Sequence, residues 1–295
     1  RGMLEEIKPK TFAELVKISG LSHGTDVWAN NAQDLIRDKD SMFGHIDFKT
    51  LIGCRDDIMV NLIGYGLKYK DAFDIMEFVR RGRASKEEKK WGEYCQLMRE
   101  YNVPEWFIFT SGKIKYMFPK AHATAYVLMA VRIAWFKVNM PIYYYAAYFS
   151  KRALVFDVTV MVSGKNAIRN RLIEINEKGY EASEKEKALQ VVLEVALEMT
   201  ERGFYFKQVD LSNSQATDFI VTDDKLGLII PFQAIDSLGD NVATSIISAR
   251  EQRPFMSKED LMTRTSLSKT LLERLNDLGV LDHLRESNQI SIFDL

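Results

Sequence analysis

Between Trp106 and Phe156 the chain carries no Asp or Glu, although 41 acidic residues are spread over its 295 positions. The same stretch holds Lys113, Lys115, Lys120, Arg132, Lys137, Lys151 and Arg152, interleaved with Tyr116, Phe118, Tyr126, Trp135, Phe136, Tyr143, Tyr144, Tyr145 and Tyr148. Positive charge beside flat rings suits a surface that holds phosphates and stacks bases. It equally suits a buried helix pair whose few cations reach out to water along apolar stems. Composition leaves both open, and local order decides more.

Met117, Phe118 and Pro119 run into Lys120, Ala121, His122, Ala123, Thr124, Ala125 and Tyr126, and an apolar run follows as far as Asn139 and Met140, where Pro141 stops it. The pattern predicts a helix entered through a proline. His122 and Tyr126, four residues apart, share a face, with Lys120 just before them at the entrance. A ring, an imidazole and an ammonium then converge near a helix N-terminus, itself a favourable place for phosphate. A lone histidine in such a position serves structure more often than chemistry.

The length suffices for two domains, and 46% hydrophobic residues supply ordinary cores. The formal net charge of −1 conceals the acid-free block, because the compensating carboxylates gather elsewhere, notably from Glu174 to Glu201. Cys54 and Cys95 are too far apart in sequence to read as a ligand pair, so neither a zinc site nor a disulfide framework is expected. They fit a reducing, cytoplasmic setting. Arg1, Gly2 and Met3 lead directly into a polar, acidic stretch without a signal peptide. The most apolar region, Tyr126 to Phe149, is interrupted by Arg132, Lys137, Asn139 and Pro141 and makes no membrane span. A soluble protein with no membrane partner is expected. The opening at Arg1 suggests a fragment of a longer polypeptide.

Most of the chain reads as helix. Thr11 with Glu14 is a capping box ahead of a helix that closes near Gly20. Leu21 to Asp26 then reads as a loop whose Ser22, His23 and Gly24 either approach phosphates or form a polar turn. Asp56 to Leu67, Tyr69 to Arg83 and Ser85 to Tyr101 continue as helices, the last opened by a second box at Ser85 and Glu88. Arg80, Arg81 and Arg83 cluster where one helix ends, a position that favours cations for the helix dipole alone. Glu174 to Arg202 reads as one strong helix, with Leu189, Val192, Ala196 and Met199 on one face and Gly203 as its stop. Phe204 to Leu211 and Phe219 to Ile230 look β-like and predict a small hairpin. Asp56 with Asp57 and Asp223 with Asp224 are adjacent residues that point apart, which suits surface or capping positions better than a metal site.

From Ile235 to Arg250 the order helix, Ser237-Leu238-Gly239-Asp240-Asn241, helix resembles a helix-hairpin-helix, the unit that binds duplex backbone through loop amides. Gly239 permits the tight turn, and Asn241, standing where a second glycine is usual, is the next best residue for a left-handed backbone. Ser257 to Leu281 repeats the theme, with Ser268 and Lys269 opening its last helix. The chain ends in Gln289, Ile290, Ser291, Ile292 and Phe293, an apolar tail fit to insert alternate side chains into a pocket or to fold back on the hairpins.

Lys113 to Phe136, KIKYMFPKAHATAYVLMAVRIAWF, closely resembles the fingers domain of bacterial replicative DNA polymerase III alpha subunits of the PolC type. Phe12 to Ile36, FAELVKISGLSHGTDVWANNAQDLI, and Ile52 to Val60, IGCRDDIMV, are also close to that family. The terminal pentapeptide from Gln289 resembles the one by which it grips the sliding clamp. The resemblance implies a mainly α fold: fingers over residues 1–156, connecting helices and a short β-hairpin over 157–231, a tandem helix-hairpin-helix over 232–285, and a clamp-binding tail over 286–295. It implies incoming dNTP at Lys120, His122 and Tyr126, with the loop Ser22, His23 and Gly24 beside the active site. Primer-template DNA would meet Gly239, Asp240, Asn241, Ser268 and Lys269, and the sliding clamp Gln289, Ile290, Ile292 and Phe293. The family's palm carboxylates and their Mg2+ ions are expected upstream of this chain, so no catalytic residue, metal or cofactor is assigned within it, and the chain alone is expected to be inactive. The alternative from another class is a non-catalytic DNA-binding scaffold that recruits partners through hairpins and tail; a purely structural helical protein would make all these matches accidental.

Overall fold

The computed structural model describes residues 2–37 and 42–288. Gln289, Ile290, Ile292 and Phe293, the expected clamp contacts, lie outside the described residues. The chain divides into two compact units, residues 1–132 and 133–295, with the border inside one long helix. The mainly helical fold with a small sheet agrees with the expectation from the sequence.

The first unit contains α1 (Gly2–Ile7), α2 (Phe12–His23), an irregular turn at Trp28–Ala32, α3 (Gln33–Arg37), α4 (Arg55–Gly64), α5 (Tyr69–Arg80), α6 (Glu88–Glu100), α7 (Glu105–Lys113) and the start of α8 (Lys120–Asn139). The predicted box opens α2: Thr11 Oγ1 accepts the Glu14 N–H, and the Glu14 carboxylate accepts the Thr11 N–H at 3.0 Å. Contrary to the sequence reading, α2 does not close at Gly20 but runs to His23, with Gly24 as its C-cap. A Cβ on Gly20 would overlap the Gly53 carbonyl and the Cys54 Sγ, so this glycine permits close packing rather than ending the helix. Ser22 and His23 therefore stand on the last helical turn, not in a loop.

Leu21, Ile58, Leu62, Ile75, Met98, Phe107 and Met117 form the centre of this unit's core. On α5 the buried Ala72, Ile75, Met76 and Val79 follow the three-and-four spacing of a helix with one face inward. The expected box at Ser85 and Glu88 does not form. The Lys86 and Glu87 N–H groups both donate to the Arg83 carbonyl at 2.9 Å, which closes a tight turn and delays α6 to Glu88.

The second unit takes the rest of α8, then α9 (Pro141–Arg152), α10 (Val158–Val162), α11 (Lys165–Lys178), α12 (Glu184–Glu201), strands β1 (Tyr205–Lys207), β2 (Ile220–Val221) and β3 (Gly227–Ile229), a 3-10 turn at Phe232–Ala234, α13 (Asp240–Gln252), α14 (Lys258–Arg264) and α15 (Lys269–Asp277). Pro141 both ends α8 and occupies the first turn of α9. Composition changes at Phe156, whereas packing changes earlier: Tyr145 and Phe149 of α9 are fully buried in the second unit's core. Phe149, Phe156, Phe206 and Phe219 pack ring to ring there at centroid distances of 5.0 to 6.2 Å.

The single helix expected from Glu174 to Arg202 is two helices. Gly179 has φ of 51°, a 3-10 turn follows, and Ser183 with Glu186 forms a capping box that starts α12 afresh. The predicted inward face, Leu189, Val192, Ala196 and Met199, is buried, and Gly203 stops the helix at φ 88°. The expected hairpin is present as β2 antiparallel to β3, and β1 joins the other edge of β3 in parallel, giving the order β1-β3-β2. Asp224 closes the hairpin turn by accepting from the Leu226 N–H at 2.9 Å and from Tyr205 Oη at 2.9 Å.

In the first hairpin region the leading arm is only the 3-10 turn at Phe232–Ala234, not the helix expected around Ile235. Pro231 precedes this turn, and the chain leaves it extended at Ile235. Between α13 and α14, the buried Asp260 receives Arg253 at 2.7 and 3.0 Å, Arg264 at 3.1 Å and the Met256 N–H at 3.1 Å, which fixes the junction. No helix among the described residues is long and apolar enough to cross a membrane.

Candidate nucleotide and nucleic-acid interface

Of the twenty residues of α8 only Ala123 is buried. On the exposed surface of its first turns, His122 meets Tyr126 edge to face at 4.5 Å, and Phe118 tilts against His122 at 4.9 Å. On the other side of Phe118 lies His23, stacked at 4.9 Å with an interplanar angle of 26°. The result is a ladder of four rings, His23-Phe118-His122-Tyr126, ending in a tyrosine that is 63% exposed. Backbone pairing holds it together. The Thr25 N–H donates to the Tyr116 carbonyl at 2.9 Å, the Lys115 N–H to the Thr25 carbonyl at 3.1 Å, and the Arg55 N–H to the Phe118 carbonyl at 3.1 Å. Gly24 is required at this crossing, because a Cβ there would come within 2.9 Å of the Tyr116 carbonyl. His23 Nδ1 lies 2.8 Å from the Ser19 carbonyl and 3.0 Å from Ser22 Oγ, which is itself bonded back to Ser19.

Lys120 is not brought to this ladder. Two residues along an α-helix turn the side chain by about 200°, so Lys120 and Thr124 face away from His122 and Tyr126. They line instead a cleft of about 760 Å³ with Phe12, Lys17, Asp57 and Tyr65. The Lys120 Nζ lies 2.8 Å from Asp57 Oδ1, and this hydrogen bond holds the ammonium above the usual lysine range. The other Asp57 oxygen accepts the N–H groups of Gly53 and Cys54, both at 3.0 Å. The neighbouring Asp56 accepts the Lys120 N–H at 2.7 Å, so a carboxylate already stands at the entrance of α8. Adjacent aspartates thus serve as caps for two helices, in line with the capping role expected from their spacing. Burial is the main cause that pushes the nearby Cys54 thiol up to about 12, with the charge of Asp57 second, so it is an inert core thiol. Burial also draws the Lys17 ammonium below its usual value, while its Nζ donates to the Leu51 carbonyl at 2.8 Å.

The arginine cluster after α5 is partly spent on internal pairs: Arg80 and Arg81 both meet Glu77, the latter at 2.8 Å. Arg55 is less committed. Its Nε is buried without a hydrogen-bond partner, and its nearest carboxylates, Asp56 and Glu77, are 3.9 Å away. Among the described residues no group of three or more His, Cys, Asp or Glu could hold a metal ion.

In the second unit, Gly239, Asp240 and Asn241 are exposed at the start of α13. Gly239 is the N-cap with φ of −81°, and Asn241 lies inside the helix, so neither is the left-handed residue expected from the sequence. That conformation belongs to Ser237, at φ 67°. What Gly239 provides is space: no atom lies within 4 Å of where its Cβ would be, and the first turn of α13 has no side-chain cap. Ser268 and Lys269 open α15 in the opposite way. The Ser268 Oγ accepts the Leu271 N–H at 3.3 Å, and no acid lies in the first turn, whereas α13 carries Asp240 there. Arg274 ties α15 to the Ser237 loop through the carbonyl of Asp236.

Sequence reasoning placed Phe118 only among the aromatics and Asp57 only as a surface or capping residue, and missed that Phe118 couples His23 to His122 and that Asp57 takes Lys120 away from both. Phe118 could have been found as the residue four before His122, continuing its face backwards past the proline. The bond of Asp57 to Lys120, 63 positions away, left no local signal.

Residues 1–102 match the family model of the bacterial DNA polymerase III alpha subunit finger domain, and residues 203–290 match a helix-hairpin-helix motif. The protein of Oceanobacillus iheyensis named DNA polymerase III PolC-type is 56% identical over 293 residues, covering 99% of this chain and 20% of that protein. Its namesake in Halalkalibacterium halodurans is 56% identical with the same coverage, and that of Streptococcus sanguinis is 54% identical over 299 residues, covering all of this chain and 20% of the relative. By these matches the chain belongs to the PolC-type DNA polymerase III family, of whose members it spans about one fifth of the length.

Proposed function

We propose that this chain serves template-directed DNA synthesis as the part of a PolC-type polymerase that receives the incoming dNTP, grips the primer-template duplex and engages the sliding clamp. The observation that carries the nucleotide role is the ladder His23-Phe118-His122-Tyr126 on the acid-free surface of α8. Tyr126 offers an exposed face for the nascent base pair, and rings on which bases stack are sequence-tolerant, as a replicase requires. His122 and His23, with Ser22 and Gly24 at the end of α2, border the same surface. Lys120, at the first position of α8, reaches the triphosphate on leaving Asp57. In the second unit the uncapped start of α13 at Gly239, Asp240 and Asn241 supports phosphate approach through free space and backbone amides. Ser268 and Lys269 supply a second contact, led by the lysine. The tail residues Gln289, Ile290, Ile292 and Phe293 take the clamp. The palm carboxylates and Mg2+ that move the nucleotidyl group belong to the remaining four-fifths represented in the relatives, so the chain alone forms no phosphodiester bond.

The test is calorimetric titration of Mg·dNTP into the chain bound to a primed duplex. The matched nucleotide is expected to bind more tightly than a mismatched one, and Tyr126→Ala is expected to remove that preference. Duplex binding without any nucleotide binding would overturn the polymerase role in favour of a DNA-binding scaffold that recruits partners.

A further inference from the structure

We propose that Asp57 is a positioning residue for Lys120, keeping its ammonium against the first turn of α4 so that a triphosphate at the entrance of α8 must compete with this carboxylate for it. The inference rests on the nucleotide site proposed above and concerns its regulation. Asp57 is fixed. One oxygen is held by two backbone N–H groups at 3.0 Å, its side chain is only 11% exposed, and it cannot follow the lysine. Lys120 is free to turn. It is 53% exposed and stands at the first position of α8, with no preceding helical turn to confine its rotamers. The two side chains therefore form a latch with one rigid and one movable half.

The surroundings make exchange of anions the natural event at this point. The first turns of α4 and α8 meet here, Arg55 bonding to Phe118 and Asp56 to the Lys120 N–H, so the positive ends of two helix dipoles lie together beside Lys120. Asp56 and Asp57 balance that charge from within. Arg55 adds a buried Nε with no hydrogen-bond partner. A polyphosphate offers the same cations more negative charge than one carboxylate does. Asp57 then tunes affinity: only an anion that outcompetes it recruits Lys120, which penalises weaker anions that would otherwise occupy the same point.

The experiment titrates Mg·dATP into the 295-residue chain bound to a primed duplex with a templating thymine. Asp57→Asn, Lys120→Met, the double variant and Tyr126→Ala are compared with wild type. Asparagine keeps an acceptor for the Gly53 and Cys54 N–H groups while removing the charge that holds Lys120. The expected result is roughly two- to fivefold tighter binding by Asp57→Asn, weaker binding by Lys120→Met, and a double variant indistinguishable from Lys120→Met. Unchanged or weaker binding by a folded Asp57→Asn overturns the proposal. So does a double variant whose effect is the sum of the two. Loss of binding in Tyr126→Ala with none in Lys120→Met removes Lys120 from the site but leaves the nucleotide role standing; no binding by wild type removes both. As a check independent of Asp57→Asn folding, the Lys120 ammonium resonance of the wild-type chain should move on addition of Mg·dATP, and its failure to move while nucleotide binds also overturns the proposal.

Discussion

Gly20 and Gly239 look alike in the sequence, each following a helix-like run, yet their surroundings assign them opposite tasks. A Cβ at Gly20 runs into the Gly53 carbonyl, and backbone cannot step aside as the end of a side chain can. Gly20→Ala is therefore expected to destabilise the chain by about 1 to 3 kcal/mol through overpacking, measured as a loss in urea midpoint. Gly239 has open space and an ordinary φ but is the N-cap of α13, where alanine is a poorer residue than glycine, so Gly239→Ala should cost about 0.5 to 1 kcal/mol through the cap and nothing through overpacking. Its bulkier counterpart Gly239→Val should weaken duplex binding and reduce the salt dependence of what remains, read by fluorescence anisotropy. Sequence could mark both glycines as special, but the reason for Gly20 lies in a segment more than thirty residues away. The ring ladder divides in the same way: His122 and Tyr126 were legible from spacing, whereas His23 enters it only through the pairing of Thr25 with Tyr116.

Helix ends set by neighbouring residues are legible in the sequence. The Thr11 box, the entry of α8 after Pro119 and its end at Pro141 all depend on residues within four positions of one another. Where two local signals compete, the sequence does not say which prevails. Ser85 and Glu88 have box spacing, but the turn on the Arg83 carbonyl comes first. Ser183 and Glu186 have it too and were hidden inside a charge-rich run that looked continuous. That box gives a test of why α12 begins where it does. Ser183→Ala should cost about 1 kcal/mol, measured by chemical denaturation. The Glu186 carboxyl is held down to about 2, first by the Lys178 ammonium and then by the Ser183 N–H and hydroxyl. A carboxyl depressed in the folded state contributes stability that is complete above its unfolded value near 4.5 and is lost as pH falls toward about 2. The protection of the Glu184 to Lys187 amides, taken relative to their intrinsic exchange rates, should accordingly fall between pH 4.5 and 2 by more than that of the rest of the chain, and Glu186→Gln should remove that extra loss. Asp224, also held to about 2, first by Thr222 and then by the Leu226 N–H and Tyr205, places the β2-β3 turn in the same acid window.

For the whole molecule, the arrangement along the chain sets how the proposed contacts combine. The proposed nucleotide residues lie in the first unit, the proposed duplex residues in the second, and the expected clamp contacts at the end of the sequence. Contacts that share no side chain act independently on stability, yet duplex and clamp become coupled once the clamp encircles the same duplex. The second contact is then intramolecular, and retention exceeds that of either contact alone by roughly 10² to 10⁴. Gly239→Val should therefore leave binding to the isolated clamp unchanged, and Phe293→Ala should leave binding to the bare duplex unchanged. On a clamp-loaded primed duplex immobilised for surface plasmon resonance, either substitution should shorten residence to that of the one contact it spares. Neither should move the affinity for Mg·dNTP, although Gly239→Val also lowers the denaturation midpoint through the poorer N-cap of α13. If Phe293→Ala dissociates from the loaded duplex no faster than wild type, the tail does not engage the clamp, and duplex binding by the hairpins accounts for the retention alone.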